Sequence, residues 1–150
     1  DGWNDPVYAL NEMRIENVVK SQIMDIYVDD EYFENCRGSG ICLSTQAGST
    51  AYNRSLKGAV IDSGLSVMQL AEITPIQHSK HRSLGNPYIM MENRHVKMIS
   101  DDFTTAMLCY DHMAAPLQDA KEIHVCFSDK KVRFARYREY SYLKRLKNLY

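Results

Sequence analysis

Apolar positions in this chain come in short runs, many spaced by two, and the runs are separated by Asp, Asn, Gly or Pro. The clearest is 121–127, where Ile123, Val125 and Phe127 share one face while Glu122 and His124 point away. That is the period of a half-buried strand. Residues 7–16 alternate loosely around the pair Asn11-Glu12, and 23–28 is a β-type run that Asp29-Asp30 turns into 31–33 as a hairpin. Residues 37–40, Arg-Gly-Ser-Gly, bend the chain into a central strand through Ile41, Cys42 and Leu43. This strand empties into a cluster of Ser, Thr, Gly and Ala. The cluster predicts a tight turn at Gly48, a helix start at Ser49 or Thr50 and a short helix over 50–56, stopped near Gly58. Residues 59–61 are short and apolar, 67–76 form a mixed segment closed by Pro75, and 78–87 read as an exposed polar loop. Further strands are predicted at 88–91, 94–99, 104–110, 121–127 and 132–137. Many short strands with turn signals between them predict a mainly β fold: an antiparallel, two-sheet, sandwich-like domain.

Composition narrows the class. A chain of 150 residues, 45% hydrophobic and 25% charged, fits one soluble globular domain spanning 1–150. A net charge of -1 predicts no general affinity for nucleic acid or an anionic membrane. No apolar run approaches the roughly 20 residues that span a bilayer, and no signal peptide opens the sequence. Cys36, Cys42, Cys109 and Cys126 have no metal-type spacing and read as buried, reduced thiols of a cytoplasmic protein. Residues 1–10, starting on Asp1, read as a linker, so the chain looks cut from something longer. From residue 130 the character changes. Eight Lys or Arg residues face one acid, Glu139, and Phe134, Tyr137, Tyr140, Tyr142 and Tyr150 are interleaved among them. With the overall charge near zero, the reading is a terminal strand and helix whose aromatics pack on a neighbouring domain while the basic groups stay in water.

Chemistry concentrates in residues 40–52, GICLSTQAGSTAY. Ser and Thr hydroxyls there can cap free backbone N–H groups, which can also meet an anion or a sugar hydroxyl. Gly48 and Ala51 leave room for a ligand to approach the backbone, and Tyr52 offers a face for a ring to stack on. A capped strand-to-helix turn with no ligand fits the same residues, and both readings stay open on composition alone. Elsewhere the signals are weaker. Asp29, Asp30 and Glu31 read as a solvated turn, and His78 and His81 as a loop lacking a third metal ligand. Asp111-His112 reads as a capped loop at a strand end, where a catalytic or phosphate-contacting pair could also sit. No Walker-type or GxGxxG motif occurs.

Three stretches together carry a resemblance. ALNE (9–12), RGSGICLSTQAGSTAYNRSLKGAV (37–60) and KVRFARY (131–137) resemble the C-terminal domain of bacterial NAD kinases, collinearly over essentially the whole chain. The resemblance implies transfer of the terminal phosphoryl of ATP, or of polyphosphate, to the 2′-hydroxyl of the adenosine ribose of NAD, giving NADP. Such a transfer relies on positioning, on a metal such as Mg²⁺ to neutralise charge, and on a base. In the family that base lies in a Gly-Gly-Asp-Gly motif of an N-terminal α/β domain, which also helps hold the ATP phosphates. No such motif occurs here, so no catalytic residue is expected in this chain and it is expected to be inactive alone. The tail, 130–150, is expected to pack on that N-terminal domain. Exposed apolar surface left without it would favour self-association as a dimer or tetramer.

Residue by residue, the resemblance assigns Asn11 to the adenine side and Glu12 to the ribose hydroxyls. It places Thr50 and Ala51 against adenine, Tyr52 between the halves of the dinucleotide, and Ser55 toward nicotinamide. Arg37 matches a residue that reaches a neighbouring subunit's site, and His112 one near the pyrophosphate. No metal ligand is assigned. Ser39 replaces a family Asp, Gln46-Ala47 replace Pro-Thr, and Lys57 stands where the family usually has Gly. These departures keep a second reading open: a diverged, non-catalytic module that binds a nucleotide or a partner protein.

Overall fold

A computed structural model of the chain describes residues 5–149, so the first four residues of the expected linker, and Tyr150 of the tail, lie outside the described residues. The strands are β1 (Glu12–Glu16), β2 (Gln22–Val28), β3 (Glu31–Gly38), β4 (Gly40–Thr45) and β5 (Val67–Ile73), then β6 (Tyr88–Met91), β7 (His95–Ile99), β8 (Met107–Tyr110), β9 (Met113–Pro116) and β10 (Glu122–Cys126). They form a six-stranded sheet in the order β6-β5-β4-β1-β8-β9 and a four-stranded sheet in the order β10-β7-β2-β3, with every pairing antiparallel. The expected two-sheet, mainly β architecture is the one observed.

Local chemistry explains the connections. Asp29 and Asp30 hold φ of 52° and 65°, the left-handed pair of a type I′ turn, and join β2 to β3. The strand after that turn runs on to Gly38, further than the expected 31–33, and the chain crosses between sheets at Ser39. Gly38 and Gly40 allow the crossing, because a Cβ on Gly40 would lie 1.9 Å from the Ile15 carbonyl oxygen. The core lies between the sheets. Ile15, Leu70 and Leu108 come from one side, Ile26 and Met98 from the other, and Phe103 plugs it at 1% exposure. Burying a side chain of this class contributes about 1.5–3 kcal/mol.

Several expected elements are corrected. The helix expected over 50–56 is a 3-10 turn, Ala47–Thr50, followed by α1 (Tyr52–Ser55), because Ala51 leaves helical geometry with ψ of -132°. No side chain caps α1; the Thr45 hydroxyl instead accepts the Gly48 N–H at 3.2 Å. The strand expected from 104 begins at Met107, since the Thr104 N–H is taken by Asp102 and the Ala106 N–H by Phe103. Strand β9 was not expected; its turn residue, Asp111, holds φ of 51° without being a glycine. Residues 132–137 are not a strand: their alternation pairs with no strand among the described residues, and Val132 and Phe134 are 59% and 67% exposed. The terminal helix is present as α2 (Tyr142–Lys147), with the Ser141 hydroxyl accepting the Lys144 N–H. Of the cysteines, all free, Cys36 and Cys42 are buried, Cys109 is half-buried, and Cys126 is exposed against expectation because it faces outward at the end of β10.

Candidate functional site

The site is built on the outward face of the six-stranded sheet. Ile15 of β1 and Leu43 of β4 point into the core, so Glu12, Arg14 and Glu16 alternate outward, as do Cys42 and Ser44. Residues 46–61 fold over this face and are held by a buried polar network. The Ser49 hydroxyl donates to the Gln46 carbonyl at 2.7 Å and accepts the Ile61 N–H at 3.0 Å. Asn53 donates to the Ser49 and Ala59 carbonyls, while Gln69 accepts the Ala59 N–H at 2.8 Å and donates back to its carbonyl at 3.1 Å.

This cover presses on the start of β1. The Thr45 N–H donates to the Asn11 carbonyl at 2.8 Å, and the Thr45 hydroxyl donates to the Leu10 carbonyl at 2.6 Å. A Cβ on Gly48 would sit 2.0 Å from the Asn11 oxygen. The expectation that Gly48 leaves room for a ligand is therefore corrected: the chain's own Asn11 backbone fills that space. From the other side Asp111 reaches across. Its Oδ1 accepts the N–H groups of Asn11 (2.7 Å) and Glu12 (3.3 Å), and its Oδ2 accepts that of Leu10 (2.7 Å).

Glu12 is buried, and its Oε2 has no hydrogen-bond partner; the same holds for the Ser44 hydroxyl directly across the ladder and for Arg14 Nε. Burial pushes the Glu12 carboxyl above its ordinary range, opposed by the charge of Arg14 and helped by that of Asp111. The Arg14 guanidinium lies 4.0 Å over the Tyr52 ring and pairs with Glu16 at 2.8 Å, and the Tyr52 hydroxyl donates to Glu16 at 3.4 Å. One face of Tyr52 is thus already covered.

Two cavities of about 590 Å³ each open beside this cluster. Asn11 and Thr50 line one, together with Arg136 and Arg145 of the tail. Glu12 and Ser44 line the other, which is mostly apolar; Ala47 borders both. Fold and cover thus set Thr50 beside Asn11 at the start of β1, and Tyr52, one residue beyond Ala51, farther along the same face over Arg14 and Glu16. Ser55 is exposed on α1, and His112 is exposed in the turn beside Asp111. Arg37 stands apart on β3, its Nε donating to the Ser21 hydroxyl at 3.4 Å. Among the described residues no three His, Cys, Asp or Glu side chains converge as a metal site would require, and His81 turns to Asn35.

Sequence reasoning missed Arg14 and Glu16 as neighbours of Tyr52, although a charge at every outward position of β1 was visible once the strand was placed. It read Asp111 as a loop residue or one of a ligand-contacting pair, and not as an acceptor for the backbone of residues 10–12. Ser39, a departure from the family pattern, is satisfied internally: its hydroxyl accepts from Thr74 Oγ1 at 2.5 Å.

Residues 9–137 match the family described as the ATP-NAD kinase C-terminal domain. NAD kinase 2 of Bacillus subtilis (strain 168) is 32% identical over 148 residues, covering 97% of this chain and 55% of its own. The NAD kinase of Levilactobacillus brevis is 35% identical over 144 residues, covering 96% and 54%. The chain spans about half the length of these curated relatives. Among solved structures, an NAD kinase from Archaeoglobus fulgidus in complex with ATP superposes with a TM-score of 0.69 at 25% identity, over 81% of this chain and 46% of that one. Yeast NADH kinase complexed with NADH gives 0.67 at 25% identity, over 77% and 33%.

Proposed function

The chain belongs to the ATP-NAD kinase family through its C-terminal domain, and on that premise we propose that it supplies the NAD-binding half of an NAD kinase. The reaction of the whole enzyme is phosphoryl transfer from ATP, or polyphosphate, to the 2′-hydroxyl of the adenosine ribose of NAD, giving NADP. One observation carries the reading. Asn11-Glu12 and Thr50, far apart in sequence, come together at the start of β1, where the Glu12 and Ser44 oxygens are buried without partners, while Tyr52 lies farther along the same face over Arg14 and Glu16. A buried polar group left unpaired costs about 1–3 kcal/mol, so a ligand hydroxyl that reaches these oxygens recovers that loss. The ATP and NADH held by the Archaeoglobus and yeast proteins are of the nucleotide classes this reading requires.

In this reading Asn11, Thr50 and Ala51 take the adenine side, and Glu12 accepts from the ribose hydroxyls. Tyr52 packs between the halves of the dinucleotide, Ser55 lies toward nicotinamide and His112 toward the pyrophosphate. Arg37 serves a neighbouring subunit's site in a dimer or tetramer. The base and the ATP-phosphate loop belong to the Gly-Gly-Asp-Gly domain, against which the tail, 130–150, packs; ATP arrives there with a divalent metal such as Mg²⁺. The setting is the cytoplasm.

Calorimetric titration of NAD and NADP into this chain tests the reading, with Asn11→Ala and Tyr52→Ala as controls. Saturable binding that each substitution weakens about tenfold is expected, with no NADP formed by the chain alone. A folded sample that binds nothing at millimolar ligand would mean that the site needs the Gly-Gly-Asp-Gly domain or has decayed, the latter being the second reading, a diverged non-catalytic nucleotide-binding or protein-interaction module. Arg14 on the Tyr52 ring and the Ser39–Thr74 hydroxyl pair are the observations on its side.

A further inference from the structure

Resting on the NAD-binding reading above, we propose that Asp111 is a positioning residue of the dinucleotide site, its carboxylate standing in for a missing strand beside Asn11 and Glu12. The ladder between β1 and β8 ends at Met13 opposite Tyr110. Residues 10–12 run past that end, so on this side their N–H groups have no backbone strand to meet. The chain then turns at Asp111, in the left-handed region that an L-residue adopts at a cost. This turn sends the Asp111 side chain back along β1, where its two oxygens take all three N–H groups at 2.7–3.3 Å. The Asp111 N–H in turn donates to the Glu12 carbonyl at 3.1 Å.

On the opposite side the Thr45 N–H holds the Asn11 carbonyl, and Gly48 packs close against it. The Asn11 backbone is thus fixed at both its donor and its acceptor, and the residue lines the cavity it shares with Thr50. A group that must meet a ligand within a few tenths of an ångström needs that kind of support. The same turn carries His112, so one hairpin end sets both the Asn11-Glu12 pair and the imidazole beside it. Neither Asn11 nor Glu12 would lose its own chemistry on loss of Asp111; they would lose their placement.

The test uses Asp111→Asn, which keeps the shape but places an amide where a second acceptor is needed, and Asp111→Ala as a second variant. Amide hydrogen exchange read by NMR reports the clamp directly, without ligand. In both variants the amides of Leu10, Asn11 and Glu12 should lose protection while those of β4 and β5 keep theirs. NAD affinity should fall about tenfold or more in variants that remain folded at the assay temperature. Unchanged protection of residues 10–12 overturns the proposal. So does an affinity that follows only the fraction of folded protein, which is what a purely structural role would give. Should the wild-type chain bind no NAD, the function proposed above fails while the exchange experiment still decides on the clamp. Loosened amides within an intact sheet then support it, and unchanged ones overturn it.

Discussion

Lys57 holds φ of 60°, a backbone conformation that glycine adopts freely and a lysine does not. It ends the turn after α1: its N–H donates to the Arg54 carbonyl, and the next N–H, of Gly58, returns to that of Asn53. The resemblance to the family placed a glycine at this position, and the geometry supplies the reason. Left-handed backbone costs an L-residue roughly 1–2 kcal/mol, partly offset because glycine loses more freedom on folding. Lys57→Gly is therefore expected to stabilise the chain by about 0.5–1 kcal/mol, read as a higher urea midpoint. A lower midpoint would mean that the lysine side chain itself holds the cover in place. Thr74, at φ of 45°, is held differently, because its hydroxyl is engaged by Ser39 and exchanging it would lose that bond as well.

Among the elements, the 3-10 turn over 47–50 is the one with no slack. Its Gly48 lies so close to β1 that a methyl group would meet the Asn11 carbonyl carbon at 2.5 Å as well as its oxygen, and neither is a flexible side chain. Gly48→Ala is expected to cost about 3 kcal/mol, seen as a loss of thermal stability together with NAD binding. Retained stability would show that the cover can lift from β1. The sequence made some of this visible and hid the rest, for physical reasons. The β2–β3 hairpin was legible because Asp-Asp is turn chemistry, and β10 because its alternation is strict. Strand β9 was hidden because its turn uses a strained Asp111 and its residues, Met-Ala-Ala-Pro, carry no strand signature. The alternation at 132–137 misled because periodicity reports a face seeking burial and says nothing of whether a neighbour is present. At the site, the motif residues were legible from the resemblance, whereas the Arg14 contact with Tyr52 and the reach of Asp111 depend on strand register, which no local pattern encodes.

Across the molecule, residues 74–87 act as a strap from one sheet to the other. The Ile76 N–H donates to the Arg37 carbonyl and the Asn35 N–H to the Arg82 carbonyl. Glu34 of β3 accepts the Leu84 N–H at 2.6 Å, while Glu72 of β5 accepts from the Ser83 hydroxyl at 2.7 Å. Burial pushes both carboxyls above their ordinary range, against the hydrogen bonds each accepts; in Glu34 the charge of Glu72 adds to the rise. The folded state therefore keeps these protons to a higher pH than the unfolded chain does. Their contribution is fully present below the unfolded value of 4.5 and is lost as pH rises through the folded value. Glu34→Gln removes that slope for one of the pair. Urea midpoints between pH 4 and pH 7 should thus move in favour of the variant as pH rises; a constant difference would contradict a raised Glu34.

The reach of Asp111 to Leu10 spans 101 positions of sequence. Closing a loop of that size costs about 4 kcal/mol of chain entropy before any contact returns it. The β2–β3 hairpin closes over a turn of two aspartates and has no such cost to meet. The molecule should accordingly acquire its hairpins early and its ligand-facing end late, once synthesis has passed residue 111. Until that point Asn11 and Glu12 would be held on the β4 side alone, through the Thr45 N–H and the ladder to Ser44. The donor side of the binding end is thus set by a contact that the chain can make only after most of its strands have been synthesised.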